Sequence, residues 1–592
     1  MKLFLLFLLC LPGYIMTASA QLPVIDIKKG AFSCRGSYLS FTRYQGRDKE
    51  PSSELKWSTV TRRPHTMLLF AITAIENGIE VPATISADPS KLEIKTANGS
   101  ALICFQTADI VRIQINKISL RLKPPIECRL MPLSDHQWRY QAEWTERFLI
   151  TAHKGSLRSN PAKPDKVQDV FTEAVFELTP DNAGKADFEF EYYLSQANTR
   201  DYSPPLATCV EQQATAFTKW VGSMPAVPAA YQPSLVQAAF VNWSSLVHPR
   251  DQIKREGMVM SKLWMNAIWS WDHCFNAMAT AYSDPTLAFD QLMLVFDQQN
   301  ELGAIPDDTY ESRLGWGYLK PPIHGWTLRC MMEKSKSITP AMLNAFYPRL
   351  VKWTNFYFQY RDDNKNGLAE THHGNDSGAD NATVFDDGMP VDDPALNAYL
   401  VIQMDVLSDV ARKLKKTTEA NEWKQKANHL YQLLITHLWD GNHFVFRRVL
   451  DGKANDAPYS FMKAMPLMLA TRLPKDIRQK LIGFIRDTLT TPFGIATEAT
   501  NSPKYPTGTY LYWRGAIWPP TMYMLIDALD RCGEKEMALD LAKKYCDMCT
   551  REGFAENFNP VTGKGLVDPV YTWGSSVFIL LAHEYLYRKQ TP

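Results

Sequence analysis

The chain has no marked excess of either charge, because 64 Lys and Arg residues balance 63 Asp and Glu residues among its 592 residues. Such a balance provides no overall field that would favour nucleic acid or an anionic membrane as a partner. After the first twenty residues, no segment reaches about 18 unbroken apolar residues, the length that a membrane-spanning helix needs. The sequence therefore predicts a mature chain that does not bind nucleic acid and does not span a membrane.

The sequence also has few cysteines for its length. Of its ten cysteines, Cys10 lies in the first twenty residues, and the remaining odd, scattered set does not resemble a disulfide framework. Cys546 and Cys549 form a C-x-x-C pair, which could indicate a redox or zinc site. However, Leu541, Tyr545 and Met548 recur around them at helical spacing, and no second Cys or His pair follows nearby. This pattern favours buried cysteines on a helix.

The first twenty residues, MKLFLLFLLCLPGYIMTASA, contain one lysine, an apolar run and a small-residue end at Ala18-Ser19-Ala20. This arrangement is typical of a cleaved secretory signal, and the apolar run is too short for a stable membrane anchor. We therefore expect export to the periplasm or the extracellular space, with residues 1–20 removed.

The chain has 592 residues, of which 45% are hydrophobic and 12% aromatic, and is long enough for two or three domains with substantial cores. Short β-type runs dominate residues 21–210, for example at 66–75, 101–122 and 186–195, and turn-forming pairs such as Asn98-Gly99 separate them. Several short strands at this spacing predict an antiparallel β-sandwich. A Pro- and Ala-rich stretch within 211–235 then indicates a linker.

Residues 236–592 have a predominantly helical pattern. In the segment 395–416, for example, Leu396, Leu400, Met404, Leu407 and Val410 step by three or four residues and form one apolar stripe. Ten or more such helices predict a large all-α domain, and the absence of a close sequence repeat argues against a simple solenoid.

Three loops between these helices are rich in Trp, Asp and Gly. They are WMNAIWSWDHCFNAMA (264–279), HHGNDSGADNATVFDDG (372–388) and YWRGAIWPP (512–520) followed by GFAENFNPVTGKG (553–565), with GAIPDDTY (303–310) and KPPIHGW (320–326) between them. In this order the motifs resemble glycoside hydrolase family 63 and related (α/α)6-barrel glycosidases, which include trehalases and mannosylglycerate hydrolases. The resemblance covers about residues 235–592 and implies a barrel that follows the β-sandwich.

The resemblance implies that Asp380, in SGADN, is the general acid and that Glu556, in FAENFNP, is the general base. Glycosidic bonds are broken by two carboxyl groups, one that protonates the leaving oxygen and one that activates water or attacks directly. The family implies inversion, for which the two groups lie about 6.5–9.5 Å apart. The expected substrates are oligosaccharides or glycosides with α-glucosidic or related α-glycosidic bonds, and no cofactor is required.

Further residues are expected to bind the sugar, on the same resemblance: Trp271, Asp272, Asp307, Asn381, Trp513, Arg514 and Trp573. Asp272 follows three tryptophans closely, and a carboxylate in such an apolar setting needs a partner, either sugar hydroxyls or Arg514. A structural ion pair is the competing interpretation. The sequence departs from the family at Asp376, where relatives tend to have a glutamate.

Simpler interpretations exist for both proposed catalytic groups. Asp380 could be a turn residue or a helix N-cap, since Asp is favourable at N-caps, and Glu556 could be a surface residue. Two other functions are also compatible with the pattern: a sugar phosphorylase on a similar barrel, and a carbohydrate-binding protein without catalytic activity. A glutamate at the general-base position argues against the phosphorylase.

The stretch RDDNKNGLAETHH begins like a calcium-binding loop, with Asp362, Asn364 and Asn366 at alternate positions before Gly367. His373 occupies the position of the bidentate glutamate, so the EF-hand template fails at its strongest ligand. A structural calcium held by Asp362, Asn364, Asn366 and Glu370 is a further possibility. We interpret His372 and His373 as loop or pocket residues, and we predict no metal in the catalytic site.

Overall fold

The structure is a computed structural model that describes residues 22–46, 49–61, 67–142, 146–160, 171, 173–198, 203–508 and 510–589. The predicted signal at residues 1–20 lies outside this range.

The N-terminal part consists of antiparallel strands, as the sequence predicts. The strands are β1 (Leu39–Thr42), β2 (Leu55–Thr59), β3 (Met67–Glu76), β4 (Ile79–Val81), β5 (Thr84–Asp88), β6 (Lys91–Lys95), β7 (Ser100–Thr107), β8 (Ile110–Asn116), β9 (Ser119–Lys123), β10 (Cys128–Ser134), β11 (Gln137–Ala142), β12 (Glu146–Lys154), β13 (Ser156–Asn160), β14 (Val175–Thr179) and β15 (Lys185–Tyr193). One sheet has the order β1-β2-β3-β9-β14-β13, with β4 paired to β3, and the other has the order β10-β11-β12-β15-β8-β7-β6-β5. The three runs singled out in the sequence coincide with β3, with β7 to β9, and with β15.

Aromatic side chains join the two sheets. The ring of Trp57 lies 5.5 Å from that of Phe148 and 5.1 Å from that of Phe190, and Phe70 lies 4.8 Å from Tyr140. All five side chains are buried. Large rings bury much apolar area, so they account for the contact between the two sheets.

The C-terminal part is helical. Its α-helices are α1 (Leu206–Gly222), α2 (Gln232–Ser245), α3 (Asp272–Thr280), α4 (Pro285–Met293), α5 (His324–Cys330), α6 (Pro340–Tyr360), α7 (Pro394–Lys413), α8 (Thr417–Leu438), α9 (Lys475–Phe484), α10 (Pro519–Arg531), α11 (Lys535–Glu552) and α12 (Thr572–Leu581). The apolar stripe predicted at 395–416 forms α7, whose N-cap Asp393 accepts hydrogen bonds from Ala395 N and Leu396 N at 2.8 and 3.1 Å. None of the described helices is long and apolar enough to cross a membrane.

Most of the expected linker at 211–235 is helical in the structure. Helix α1 extends to Gly222 because Cys209, Phe217 and Trp220 recur at helical spacing and become buried. The indole Nε1 of Trp220 donates to Ala239 O at 2.9 Å, which ties α1 to α2. The proline-rich residues 223–228 form the non-helical part of the segment.

The two cysteines of the C-x-x-C pair, Cys546 and Cys549, lie buried on α11, as their helical spacing indicates. All nine cysteines in the described part of the chain are free thiols. Burial raises the pKa of Cys549 far above its ordinary value, so this thiol has no thiolate character at neutral pH.

Two-residue strands pair the loops that carry the motifs. Ile268–Trp269 pairs with Asp308–Thr309, and Asn557–Phe558 pairs with Gly565–Leu566. A third set joins Glu370–Thr371 to Val391–Asp392 and then to Arg447–Arg448. These pairings position the ends of α3, the 372–388 loop and the Glu556 segment.

Candidate active site

Asp272 begins helix α3 and is buried. Its Oδ1 accepts a hydrogen bond from the hydroxyl of Tyr571 at 2.9 Å. Burial raises the pKa of Asp272 to about 7, although the Tyr571 hydroxyl and nearby Lys320 oppose this rise. Tyr571 therefore provides the buried partner that the apolar setting requires.

The alternative partner considered for Asp272, Arg514, lies elsewhere in the structure. Its guanidinium donates through Nε to Asn381 O at 2.8 Å and forms an ion pair with Asp386. Arg514 thus braces the loop that carries Asp380, because its five donors suit a carbonyl and a carboxylate simultaneously.

Asp380 lies on the 372–388 loop with 24% of its side chain exposed. Its Oδ2 accepts a hydrogen bond from the hydroxyl of Tyr512 at 2.7 Å, and its Oδ1 lies 3.9 Å from Lys320 Nζ. The following short turn begins after Ala382, so Asp380 does not cap a helix. The N-cap interpretation of Asp380 is therefore wrong.

The loop around Asp380 is held by Asp376 and Gly378. The Oδ1 of Asp376 accepts from Leu319 N at 2.8 Å, and its Oδ2 accepts from His373 N at 3.1 Å. Gly378 has φ +69°, and a Cβ at this position would lie 2.8 Å from the ring of Trp271. The shorter carboxylate at position 376 is thus a scaffold group that joins the 372–388 loop to the segment before Lys320.

Lys320 is a buried cation at the centre of this group of acids. Its Nζ donates to Asn375 O at 3.0 Å and lies 3.4 Å from Asp307 Oδ1. Burial alone would lower the pKa of Lys320, but the carboxylates of Asp307, Asp380 and Asp272 raise it above its ordinary value. Burial raises the pKa of Asp307 to about 6 despite this neighbour. Lys320 therefore stays charged and partly neutralises the acids around it.

Glu556 is only 4% exposed, so its interpretation as a surface residue is wrong. Its backbone N donates to Asp568 O at 2.8 Å, and its carbonyl accepts from Trp573 Nε1 at 2.9 Å. Burial raises the pKa of Glu556 well above the ordinary 4.5, and the nearby carboxyls of Asp568, Asp272 and Asp380 raise it further. These three carboxyls are therefore near enough to Glu556 to disfavour its ionisation.

Asp568 is a fully buried neighbour of Glu556. Its backbone N lies 3.4 Å from Glu556 Oε2, and its Oδ1 accepts from Val570 N at 3.0 Å. Burial raises the pKa of Asp568 to about 7. Two adjacent buried carboxyls disfavour double ionisation, and the Asp568 carboxyl contributes to the raised pKa of Glu556.

A cluster of indole rings borders the acids. Trp513 stacks on Trp518 with ring centroids 3.8 Å apart, and Trp271 lies 6.0 Å from both Trp513 and Trp573. Asn381 Oδ1 accepts from Trp513 N at 3.0 Å and so fixes this cluster beside the acid loop. Buried indoles of this kind offer rigid apolar faces against which a sugar ring packs.

The structure thus brings most of the predicted site residues together. Arg514 instead binds the 372–388 loop, which carries Asp380. Sequence analysis missed Lys320, Tyr512, Asp568 and Tyr571. Lys320 and Tyr512 are the first residues of two quoted motifs, and Tyr571 lies two residues before Trp573. Their positions within or just after the quoted motifs were the available signal. The residues that they contact are distant in sequence, so this signal did not identify the pairs.

The loop at 362–370 is held largely by its own hydrogen bonds. Asp362 Oδ2 accepts from Gly367 N at 3.2 Å, and Glu370 Oε1 accepts from Asp363 N at 2.8 Å. Asp362 Oδ1 is buried and has no hydrogen-bond partner among the described residues. Asn366 donates to Asp392 at 2.8 Å, which brings a further carboxylate to the loop. These oxygen donors fit a hard cation such as calcium.

Comparison with known proteins gives a consistent family match. The model of the mannosylglycerate hydrolase MGH1-like glycoside hydrolase domain matches residues 265–574, which include the motif loops described above. A mannosylglycerate hydrolase from Rubrobacter radiotolerans is 21% identical over 401 residues, covering 52% of this chain and 89% of the relative.

Two solved structures share the fold. A family 63 mannosylglycerate hydrolase from Thermus thermophilus, in complex with glucose, has a TM-score of 0.50 at 18% identity and covers 58% of this chain and 98% of its own. A bacterial glucoamylase complexed with acarbose has a TM-score of 0.62 at 12% identity and covers 96% of both chains. The second likeness extends over the sheets as well as the helices.

Proposed function

Because this chain belongs to the mannosylglycerate hydrolase MGH1-like family of glycoside hydrolases, we propose that it hydrolyses α-glycosidic bonds with inversion, using Asp380 as the acid and Glu556 as the base. The chain is a glycoside hydrolase of family 63. The bond type, the stereochemical outcome and the residue roles are the proposed part.

The observation that carries the proposal is a pair of carboxyl groups on separate loops beside one indole cluster. Asp380 is linked to this cluster through Asn381 and Trp513, and Glu556 is linked to it through Trp573. Their environments differ, since Asp380 is partly exposed and Glu556 is buried. Inverting glycosidases use two carboxyl groups on opposite faces of the sugar ring, and two separate loops supply such a pair here.

In this mechanism Asp380 donates its proton to the glycosidic oxygen, and Glu556 accepts a proton from the attacking water. Burial raises the pKa of Glu556, so its carboxylate, once ionised, is a stronger base than that of an exposed glutamate. Asp272 and Asp307 accept hydrogen bonds from hydroxyls of the sugar that is released, and Lys320 balances their charge. The faces of Trp271 and Trp513 pack on the same sugar.

The finer architecture and the location of the chain belong to the same proposal. The described helices α2 to α12 would form the (α/α)6 barrel, and the two sheets would form the β-sandwich that precedes it. Support comes from the likeness to the glucoamylase over 96% of the chain. Residues 1–20 would direct export, with the catalytic chain acting on oligosaccharides or small glycosides outside the cytoplasm.

The test is a screen of α-glucosides and α-mannosides, including mannosylglycerate, with the wild type, Asp380→Asn and Glu556→Gln. We expect each variant to lose at least 100-fold in kcat, since general acid–base groups contribute about 10²–10⁴-fold. NMR of the first product should show the inverted anomer. Near-wild-type turnover by either variant, or a retained anomer, would contradict the roles assigned here.

The same screen separates the two alternatives. A phosphorylase would require inorganic phosphate and release a sugar phosphate, whereas the proposed hydrolase acts equally well without phosphate. A carbohydrate-binding protein without catalytic activity would bind sugar and hydrolyse none of these substrates.

A further inference from the structure

Exposed aromatic side chains lie on the loops next to Asp380. Tyr510 is 60% exposed, Trp316 46% and Tyr318 37%, although the large rings in the neighbouring cluster are buried. Exposed rings that are grouped on loops around a functional group are candidates for contact with a ligand. Their positions relative to Asp380 indicate which part of the substrate they contact.

On one side of the acid, Tyr510 stacks on Tyr512, with ring centroids 5.5 Å apart and an interplanar angle of 13°. The hydroxyl of Tyr512 is the group that donates to Asp380 Oδ2. The exposed ring of Tyr510 therefore lies one ring further out from the proposed proton donor, toward solvent.

On another side, the ring of Tyr318 stacks on His373, with centroids 4.5 Å apart and an angle of 24°. His373 caps the short turn Gly374–Ser377. A Cβ at Gly374 would collide with the carbonyl oxygen of Asp380, so this turn packs directly on the backbone of the acid. The Tyr318–His373 pair is thus held at the acid by the loop itself.

The position beside the acid identifies the part of the substrate that these rings contact. The acid protonates the oxygen that joins the glycone, the sugar whose anomeric carbon is attacked, to the leaving group. In the proposed mechanism the glycone faces the buried carboxyls of Asp272 and Asp307, so the leaving group extends from Asp380 toward solvent. The faces of Tyr510 and Tyr318 then pack on whatever the leaving group presents.

The charges around Asp380 indicate that the leaving group is neutral. On residues 311–320, 372–388, 504–508 and 510–514, every Lys and Arg lies against a carboxylate: Arg313 near Asp308, Lys320 near Asp307, and Lys504 and Arg514 near Asp386. A leaving group with its own carboxylate, such as glycerate, would need one of these cations and would face a cluster of acids. A sugar ring needs neither.

We propose that Tyr510 and the Tyr318–His373 pair form a leaving-group subsite for a neutral sugar ring, so that this chain prefers oligosaccharides to glycosides of small organic acids. The proposal rests on the glycosidase function proposed above. It assigns the two stacked pairs a role in substrate choice, separate from the carboxyls that perform the reaction.

The experiment compares two substrates with the same glycone, an α-linked disaccharide and the corresponding α-glycosyl fluoride, which has no ring in its leaving group. For Tyr510→Ala and Tyr318→Ala we expect kcat/KM on the disaccharide to fall about 5- to 20-fold, as the loss of a stacking ring predicts. The fluoride should change less than about twofold. Tyr510→Phe keeps the ring and should behave as the wild type on both substrates.

Tyr587→Ala is the matched control, because Tyr587 also stacks on a histidine, His583, at 6.1 Å and 17° but lies at the end of the helical part. It should leave both substrates unchanged. Equal losses on disaccharide and fluoride would overturn the subsite, as would no loss on either or a wild-type preference for mannosylglycerate over the disaccharide. Wild-type inactivity on every glycoside and fluoride would instead overturn the proposed hydrolase function.

Discussion

The hydrogen bond from Tyr512 to Asp380 offers a sharp test of how the acid is held. Tyr512 has φ +46°, a left-handed backbone that a non-glycine residue adopts at a cost. Burial and the neighbouring Asp380 raise the pKa of the Tyr512 phenol well above its ordinary value, so the hydroxyl remains a donor. Tyr512→Phe removes this donor and retains the ring that stacks on Tyr510.

Asp380 is protonated when it acts as the acid, so the hydrogen bond from Tyr512 then joins two neutral groups and contributes about 0.5–1.5 kcal/mol. If this energy positions Asp380 for proton transfer, kcat/KM on a disaccharide should fall about 2- to 13-fold. The glycosyl fluoride should be hydrolysed at nearly the wild-type rate, because fluoride leaves without a proton from Asp380. Steady-state kinetics on both substrates provide the readout.

The control is Tyr510→Phe, which changes the adjacent ring in the same loop without touching Asp380. Thermal unfolding of both variants should lie close to the wild type. If Tyr512→Phe lowers fluoride and disaccharide hydrolysis equally, the hydrogen bond supports the whole site and the reasoning about the acid is refuted. Unchanged disaccharide kinetics would refute it as well.

Three further predictions concern the site and its supports. Gly378→Ala should lower kcat at least 10-fold because its Cβ would meet the Trp271 ring at 2.8 Å from a left-handed backbone; wild-type kinetics would contradict this packing. Asp272→Asn should abolish turnover yet raise the free energy of unfolding at pH 8. The pKa of the Asp272 carboxyl is about 7 in the folded chain and near 4 in the unfolded chain, so the free energy of unfolding of the wild type falls by about 4 kcal/mol as pH rises between these values. Asparagine does not ionise and avoids this loss. Its advantage in Tm should shrink toward pH 5, and an advantage independent of pH would refute the assignment. If the loop at 362–370 binds calcium, the ion at 100 times its Kd should raise Tm by an amount equivalent to about 2.7 kcal/mol in the wild type and not in Asp362→Asn; no rise in the wild type, or an equal rise in both, would refute this site.

The regular elements were predictable because their apolar periodicity is local. The stripe from Leu396 to Val410 predicted α7, and the apolar run at 66–75 predicted β3. Helix α1 was missed where prolines at 225 and 228 dominated the composition, although Phe217 and Trp220 already stood at helical spacing. A proline-rich stretch marks where a helix ends and says little about the residues before it.

The candidate site was predictable only in part, since its groups come from distant segments. Motif order identified Asp272, Asp380 and Glu556, but their roles stay predictions. The partners of these acids depend on tertiary packing: Tyr571 reaches Asp272, and Tyr512 reaches Asp380. No local pattern in the sequence predicts such contacts, and for the same reason Arg514, offered as one possible partner of Asp272, pairs with Asp386 instead.

The supports of the two proposed catalytic groups differ in kind. Glu556 is held through its main chain, between Asp568 and the indole of Trp573 at the start of a buried helix. Asp380 is held through side chains on a partly exposed loop, by Tyr512 and by the scaffold around Asp376. Substitutions in that loop can therefore change the surroundings of Asp380 without displacing Glu556. The two proposed catalytic groups can thus be altered separately, one through side-chain contacts and the other through the main chain.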